Sequence, residues 1–243
     1  MFTACFDVSG GRRAPLMTMV GYVSDVKKWT KFEKLWQEIL DREGVKQFHM
    51  TDCVSLAGEF AGWAPERRKR FIADLEECAR KYTNKRFSAT VIMADYNRVD
   101  ATHQLHEYAG YPYSMCGISC IDHVRTWAKN RKIKDPIVYV FEDGDERKGN
   151  FPKLCQERFG FEPLFHSKKG FIPFQAADLA AWKTMQPIRD AIGTRPYTEK
   201  QVETLLYHTR AFLKKPHAGG GFDYDALMKI CNGHPIPKRR DTT

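Results

Sequence analysis

The sequence predicts an α/β domain: a mixed sheet opened by a β-hairpin, with helices on both faces. Three observations predict it. Short apolar runs rich in β-branched and aromatic residues recur along the chain. Stretches with apolar residues at helical spacing lie between them. The first two apolar runs are separated only by Gly10-Gly11-Arg12-Arg13-Ala14-Pro15, which closes a hairpin and so makes the sheet mixed rather than purely parallel.

The elements follow in order. Phe2 to Asp7 is short, apolar and aromatic, and ends at the turn signal Ser9-Gly10-Gly11, so it reads as a buried first strand. Leu16 to Val23 is the second. Trp29, Phe32, Leu35, Trp36, Ile39 and Leu40 then recur at helical spacing. Gln47 to Thr51 reads as a short extended segment, and a helix running to Tyr82 begins near Pro65, where proline in a first turn costs little. Phe87 to Met93 reads as a strand, Ser114 to Lys129 as a long amphipathic helix, and Ile137 to Phe141 as the strongest strand. Asn150 to Phe159, Phe174 to Met185 and Thr198 to Lys214 read as helices. Gly219-Gly220-Gly221 and Pro235-Ile236-Pro237 mark a looser end, so residues 1–215 are taken as one domain and 216–243 as a carboxy-terminal extension.

Composition narrows the function. The 243 residues are 42% hydrophobic and 13% aromatic, which supports a packed core and not a disordered chain. No apolar run is long enough to span a bilayer, and Met1 to Gly10 lacks a basic-then-apolar signal pattern. Seven cysteines, an odd number, point to reduced thiols and a cytoplasmic location. Cys116 and Cys120 have no second pair at zinc spacing and read as buried small residues. A net charge of +9 favours a polyanionic partner such as nucleic acid.

Carboxylates in apolar surroundings carry the chemistry. Asp7 ends the first strand, Glu142 and Asp143 follow the strongest later strand, and Asp178 sits in the apolar helix Phe174 to Trp182. A buried carboxylate needs a cation, a donor or a metal. Several brought together repel one another unless a hard divalent ion lies between them, which is the arrangement used in two-metal phosphodiester cleavage. Each also has a plainer reading: Asp7 as a turn former, Glu142-Asp143-Gly144-Asp145 as a solvated loop, and Asp178 as a partner of Lys183 or Arg189.

In these residues the chain resembles the domain of unknown function 3800 family. Phe6-Asp7-Val8-Ser9-Gly10 is similar to that family's Asp-Glu-Ser-Gly strand end, and Phe174-Gln175-Ala176-Ala177-Asp178-Leu179 to its Gln-x-Ala-Asp helix. Ile137 to Phe141 with Glu142 and Asp143 fits its internal acidic strand. His49-Met50-Thr51-Asp52 stands where members often carry a His- or acid-containing segment. The resemblance implies a ribonuclease H-like fold, in which acids of the first strand, a later strand and the last helix converge on two metal ions. It implies Asp7, Glu142 or Asp143, and Asp178 as catalytic metal ligands, Asp52 as a fourth, and Mg²⁺ or Mn²⁺ as cofactor. The chain departs from the pattern at Val8, where the family has Glu.

His49 has two readings, proton transfer at a leaving group or a satisfied, partly buried side chain. No nucleophile elbow, phosphate-binding loop or His-x-x-x-His zinc motif is present. Basic residues cluster at Arg67 to Arg70, Lys129 to Lys132, Lys168-Lys169, Lys214-Lys215 and Lys238 to Arg240. Lys168 and Lys169 precede the Asp178 helix and are the pair expected nearest a nucleic-acid backbone. The function expected is a metal-dependent nuclease or phosphodiester hydrolase, with DNA and RNA both open. The alternative is a non-catalytic nucleic-acid- or protein-binding module on the same scaffold.

Overall fold

A computed structural model describes residues 1–10, 14–143, 148–192 and 217–233. Strands β1 (Phe2–Ser9) and β2 (Leu16–Asp25) form the expected hairpin, in register from Phe2 opposite Asp25 to Ser9 opposite Thr18. Its tip, at 11–13, lies outside the described residues. β3 (Lys85–Ile92) pairs antiparallel with β2. β4 (Ile137–Glu142) lies parallel to β1, β5 (Leu164–His166) parallel to β4, and β6 (His217–Phe222) parallel to β3. The six-stranded order is β5-β4-β1-β2-β3-β6, with β2 running against the rest. This is the hairpin-led mixed α/β class, with helices on both faces, expected from the sequence.

Strand alternation divides the core in two. One face buries Ala4, Phe6, Met17, Met19, Phe87, Val91, Tyr139 and Phe141. It is covered by α4 (Met93–His103), α5 (Leu105–Tyr108), α6 (Pro112–Asn130), α7 (Phe151–Phe159) and α9 (Tyr224–Gly233). The other face buries Cys5, Val20, Tyr22 and Val140. It is covered by α1 (Val26–Glu43), α2 (Met50–Ser55), α3 (Pro65–Tyr82) and α8 (Ile172–Ile192).

Helices α1 and α8 form where the patterning puts them. Asp25 caps α1 by accepting from the Lys28 amide at 3.0 Å, and the helix ends at Gly44 in the left-handed region. Its buried stripe is Trp29, Phe32, Trp36, Ile39 and Leu40. Helix α8 buries Ala176, Ala177, Ala180 and Ala181, small residues that let its backbone come close to β1 and β2. Among the described residues no helix is long and apolar enough to cross a membrane. All seven cysteines are buried and free.

Some expectations differ from the structure. The 47–51 segment forms no strand: the chain bends at Gln47, His49 is extended, and Met50 opens α2. Met93, expected to end a strand, opens α4, and residues 94–108, not assigned an element from sequence, continue α4 and form α5. The described part of the carboxy-terminal extension, 217–233, adds a strand to the sheet and a helix whose Leu227 and Cys231 enter the core, so Gly219-Gly220-Gly221 is strand and not loose chain. The helix expected at Thr198 to Lys214, the basic pair Lys214-Lys215 and the tail Pro235 to Arg240 lie outside the described residues.

Where β1 and β2 pair, Gly21 lies opposite Phe6. A Cβ there would fall 2.2 Å from the Cys5 carbonyl oxygen and 2.2 Å from the Phe6 ring. Gly21→Ala is therefore expected to lower stability by about 1–3 kcal/mol, the usual cost of overpacking. Urea denaturation checks this, and an unchanged midpoint would contradict the close approach.

Candidate functional site

Parallel strands β1, β4 and β5 end side by side, and the candidate site lies at their carboxyl ends, where open α/β sheets commonly bind ligands. Asp7 is the penultimate polar position of β1 and lies on the face covered by α8, since its neighbour two residues back, Cys5, packs in that core. It is 3% exposed. Asp178 comes from the second turn of α8 and is 9% exposed. Two buried carboxylates thus meet at the interface of the first strand and a late helix.

A lysine joins them. Lys168 Nζ lies 2.8 Å from Asp7 Oδ2 and 3.2 Å from Asp178 Oδ1. The remaining Asp7 oxygen, Oδ1, accepts from the Val8 amide at 2.8 Å. The remaining Asp178 oxygen, Oδ2, accepts from the Met50 amide at 2.7 Å. Lys168 leaves the end of β5 in a tight turn in which its carbonyl accepts from the Phe171 amide at 3.3 Å and Gly170 takes a φ of 75°.

The Gln-x-Ala-Asp helix has a clear physical role. Gln175 Oε1 accepts from Trp36 Nε1 at 3.0 Å and from the Phe48 amide at 2.9 Å, both buried. Asp178, three residues on and on the same side of α8, takes the Met50 amide. Helix α8 therefore holds the 48–50 segment by alternate backbone amides. That fixes His49 at the rim of the site, with Nε2 3.9 Å from Asp178 Oδ1 and Nδ1 3.2 Å from Asp52 Oδ2. Beneath it, Phe48 packs edge-on against Trp36, Phe60 and Phe71.

The two acids after β4 separate. Val138 and Val140 face the α8 side, so alternation puts Glu142 on the same face as Asp7, one strand away. Asp143 is exposed and pairs with Lys148, which lies over the Phe165 ring on the other side of the sheet. Val8 packs against the core of that other side as well.

Of the residues singled out from sequence, the structure brings together Asp7, Asp178 and Lys168, sets His49 and Asp52 at their edge, and leaves Asp143 apart. Lys169 is exposed, its amide donating to Ser167 Oγ at 3.2 Å. Lys183 pairs with Glu76 rather than with Asp178, and the Arg189 side chain lies outside the described residues. Arg67 is held over Trp63 and against Glu43, and Arg68 donates to the Val54 carbonyl, so half of the first basic cluster is committed to packing. Sequence reasoning placed Lys168 at a substrate backbone and did not find it between the acids. The Ser167-Lys168-Lys169-Gly170 turn just before the helix was the available signal.

Burial raises the Asp7 carboxyl to about 6, from an ordinary 3.8, against the lowering pull of the Lys168 ammonium. Burial pulls the Lys168 ammonium down, yet the Asp7 and Asp178 charges together carry it above its ordinary value. Among the described residues no three His, Cys, Asp or Glu side chains gather closely enough to hold a metal ion by themselves. The donors that do converge are two carboxylates, which suit Mg²⁺ or Mn²⁺: such ions keep several waters and bind through one or two carboxylates plus substrate phosphates.

The chain matches no protein-family model and no curated protein. Solved structures that it resembles include the ribonuclease HII of Archaeoglobus fulgidus, determined in complex with PCNA. That likeness has 13% identity over 89% of this chain and 92% of that one, with a TM-score of 0.43. Ribonuclease H2 from Pyrococcus horikoshii is similar at 12% identity over 96% of this chain and 98% of that one, with a TM-score of 0.40. At such scores the likeness gives no residue equivalences.

Two outcomes follow from the site. Gln175→Leu strands two buried donors, Trp36 Nε1 and the Phe48 amide, and is expected to cost about 1–3 kcal/mol for each in urea denaturation. A carboxyl whose folded pKa exceeds its unfolded value contributes stability that is complete below the unfolded pKa and lost as pH rises through the folded one. Asp7 thus favours the folded chain less and less between pH 3.8 and about 6, while Lys168, whose pKa is raised, stays charged throughout that window. Relative to the wild type, Asp7→Asn is expected to gain stability on going from about pH 5 to about pH 7. Parallel pH dependences of the two proteins would contradict a buried, raised Asp7 carboxyl.

Proposed function

We propose that this chain is a divalent-metal-dependent phosphodiester hydrolase acting on nucleic acid, with Asp7 and Asp178 as its metal-binding carboxylates. One observation carries this reading: two buried carboxylates, from the first strand and a late helix, aim at a single cation at the carboxyl ends of parallel strands. Glu142 shares their face and would be the third donor. A divalent ion bound there would supply activation of water and charge stabilisation at the phosphate. The same acids underlie the resemblance to the domain of unknown function 3800 family, and membership in it is part of the proposal.

The chain's own residues have defined tasks in this reading. Asp178 holds the Met50 amide and so keeps His49 at the rim. The contact between His49 Nδ1 and Asp52 Oδ2 orients the ring, which leaves Nε2 to give or take a proton at the leaving oxygen. Exposed Lys69, Arg70 and Lys169 would meet phosphates, adding to the attraction of a +9 chain for a polyanion. A second reading, a non-catalytic binding module, is favoured by Lys168 itself, which already neutralises much of the carboxylate pair.

The test is cleavage of labelled single-stranded and duplex DNA and RNA with Mg²⁺, Mn²⁺ or EDTA. Metal-dependent cleavage is expected, reduced about 100-fold or more in Asp7→Asn and Asp178→Asn, and about 10²–10⁴-fold in His49→Ala if that residue is the general acid. Binding without cleavage, unchanged in the Asp variants, would favour the second reading.

A further inference from the structure

The ammonium of Lys168 occupies the point on which the two carboxylates converge, 2.8 Å from one and 3.2 Å from the other. The contact is built rather than incidental. Its side chain is 22% exposed, while those of Asp7 and Asp178 are 3% and 12% exposed. Both flanks of the lysine are fixed. His166 pairs with Glu142 in the strand ladder before it, and the Phe171 ring after it packs at 4.7 Å against both His166 and Phe174. The turn between them is closed by the Phe171 amide. A side chain reaching 161 residues along the sequence to Asp7 is thus launched from a held loop.

We infer that Lys168 is the internal counter-ion of the Asp7–Asp178 pair, and that a divalent cation enters the pair only by displacing its ammonium. The inference rests on the metal-binding reading above. An ammonium and a divalent ion cannot share the same two carboxylate oxygens, because like charges at contact distance repel strongly in a partly buried site. The carboxylates stand on a strand and a helix and have nowhere to go. The lysine stands on a loop and has a flexible four-carbon stem, so it is the member that can leave. When it swings out, its charge lies at the mouth of the site, where a substrate phosphate would approach. Without metal it holds the two acids together and keeps the site folded. The cost is affinity: metal binds only the fraction of molecules in which the lysine has moved, and the apparent dissociation constant rises by that fraction.

Two measurements test this without nucleic acid. In the first, Mn²⁺ binding to the full chain is followed by electron paramagnetic resonance. Lys168→Met is expected to bind at least about tenfold more tightly than the wild type. In the second, the wild-type protein is treated with an amine-acylating reagent with and without saturating Mn²⁺, and its peptides are read by mass spectrometry. Labelling of Lys168 is expected to rise several-fold with the metal, a readout that does not depend on a variant folding. If the wild type binds Mn²⁺ but Lys168→Met binds no more tightly, or Lys168 labelling stays unchanged, the counter-ion inference is overturned and the metal reading stands. If neither protein binds Mn²⁺ at millimolar concentration, the metal reading falls and takes the inference with it.

Discussion

Two negative charges buried against each other are the constraint around which this domain is arranged. Asp7 and Asp178 leave water at the same helix–sheet interface, and neither can do so without a positive charge between them. Burial pushes the Asp7 carboxyl upward, which measures how far its surroundings resist the charge. The sheet order answers this constraint. With β5 beside β4 and β4 beside β1, the loop after β5 leaves the sheet at the end where Asp7 sits, and Lys168 closes the gap. A loop from an antiparallel neighbour would leave from the opposite end. The alanines of α8 complete the arrangement, because bulkier residues at Ala177 or Ala181 would lift the helix, and Asp178 with it, away from β1.

The same helix organises the rim. Gln175 and Asp178 take alternate amides of an extended segment, so a helix and a short strand-like stretch are matched by hydrogen bonds instead of by a ladder. Gln175 also takes the indole N–H of Trp36, which ties α1 to the same point. The donors involved are buried, and leaving any of them unpaired would be costly. Below them the contiguous rings of Trp36, Phe48, Phe60, Trp63 and Phe71 make a floor that fixes the backbone on either side of His49. The histidine itself is only half-covered, which suits a group that meets a ligand.

Much of this could be read from the chain because burial writes periodicity into it. The first strand, α1, β4 and α8 each present a strong apolar pattern, and the acids Asp7 and Asp178 stood out against it. Elements that bury little were not legible. Helix α4 buries only Tyr96 and Val99, β5 is three residues long, and glycine-rich β6 has no side-chain alternation to detect. Gln175 and Asp178 were visible as a motif, but their partners at 36, 48 and 50 were not, since nothing local names an acceptor's distant donor. Lys168 failed for the same reason. In sequence it is one basic residue beside another; only the fold separates Lys168, among acids, from Lys169, in water.

Parity along two strands then decides which acids share a site. Cys5 and Val140 are register partners and both pack under α8, so Asp7 and Glu142, each two residues further on, emerge on that same face. Asp143 is one residue out of phase and turns to Lys148. Val8 is out of phase in the same sense, and its side chain joins the core beneath the opposite helices. A glutamate in its place would begin on the face away from Asp178, and would need the end of β1 to twist before it reached the pair. Valine at position 8 therefore supplies core packing on one face of the sheet. On the other face, the set formed by Asp7, Asp178 and the neighbouring Glu142 does not depend on it.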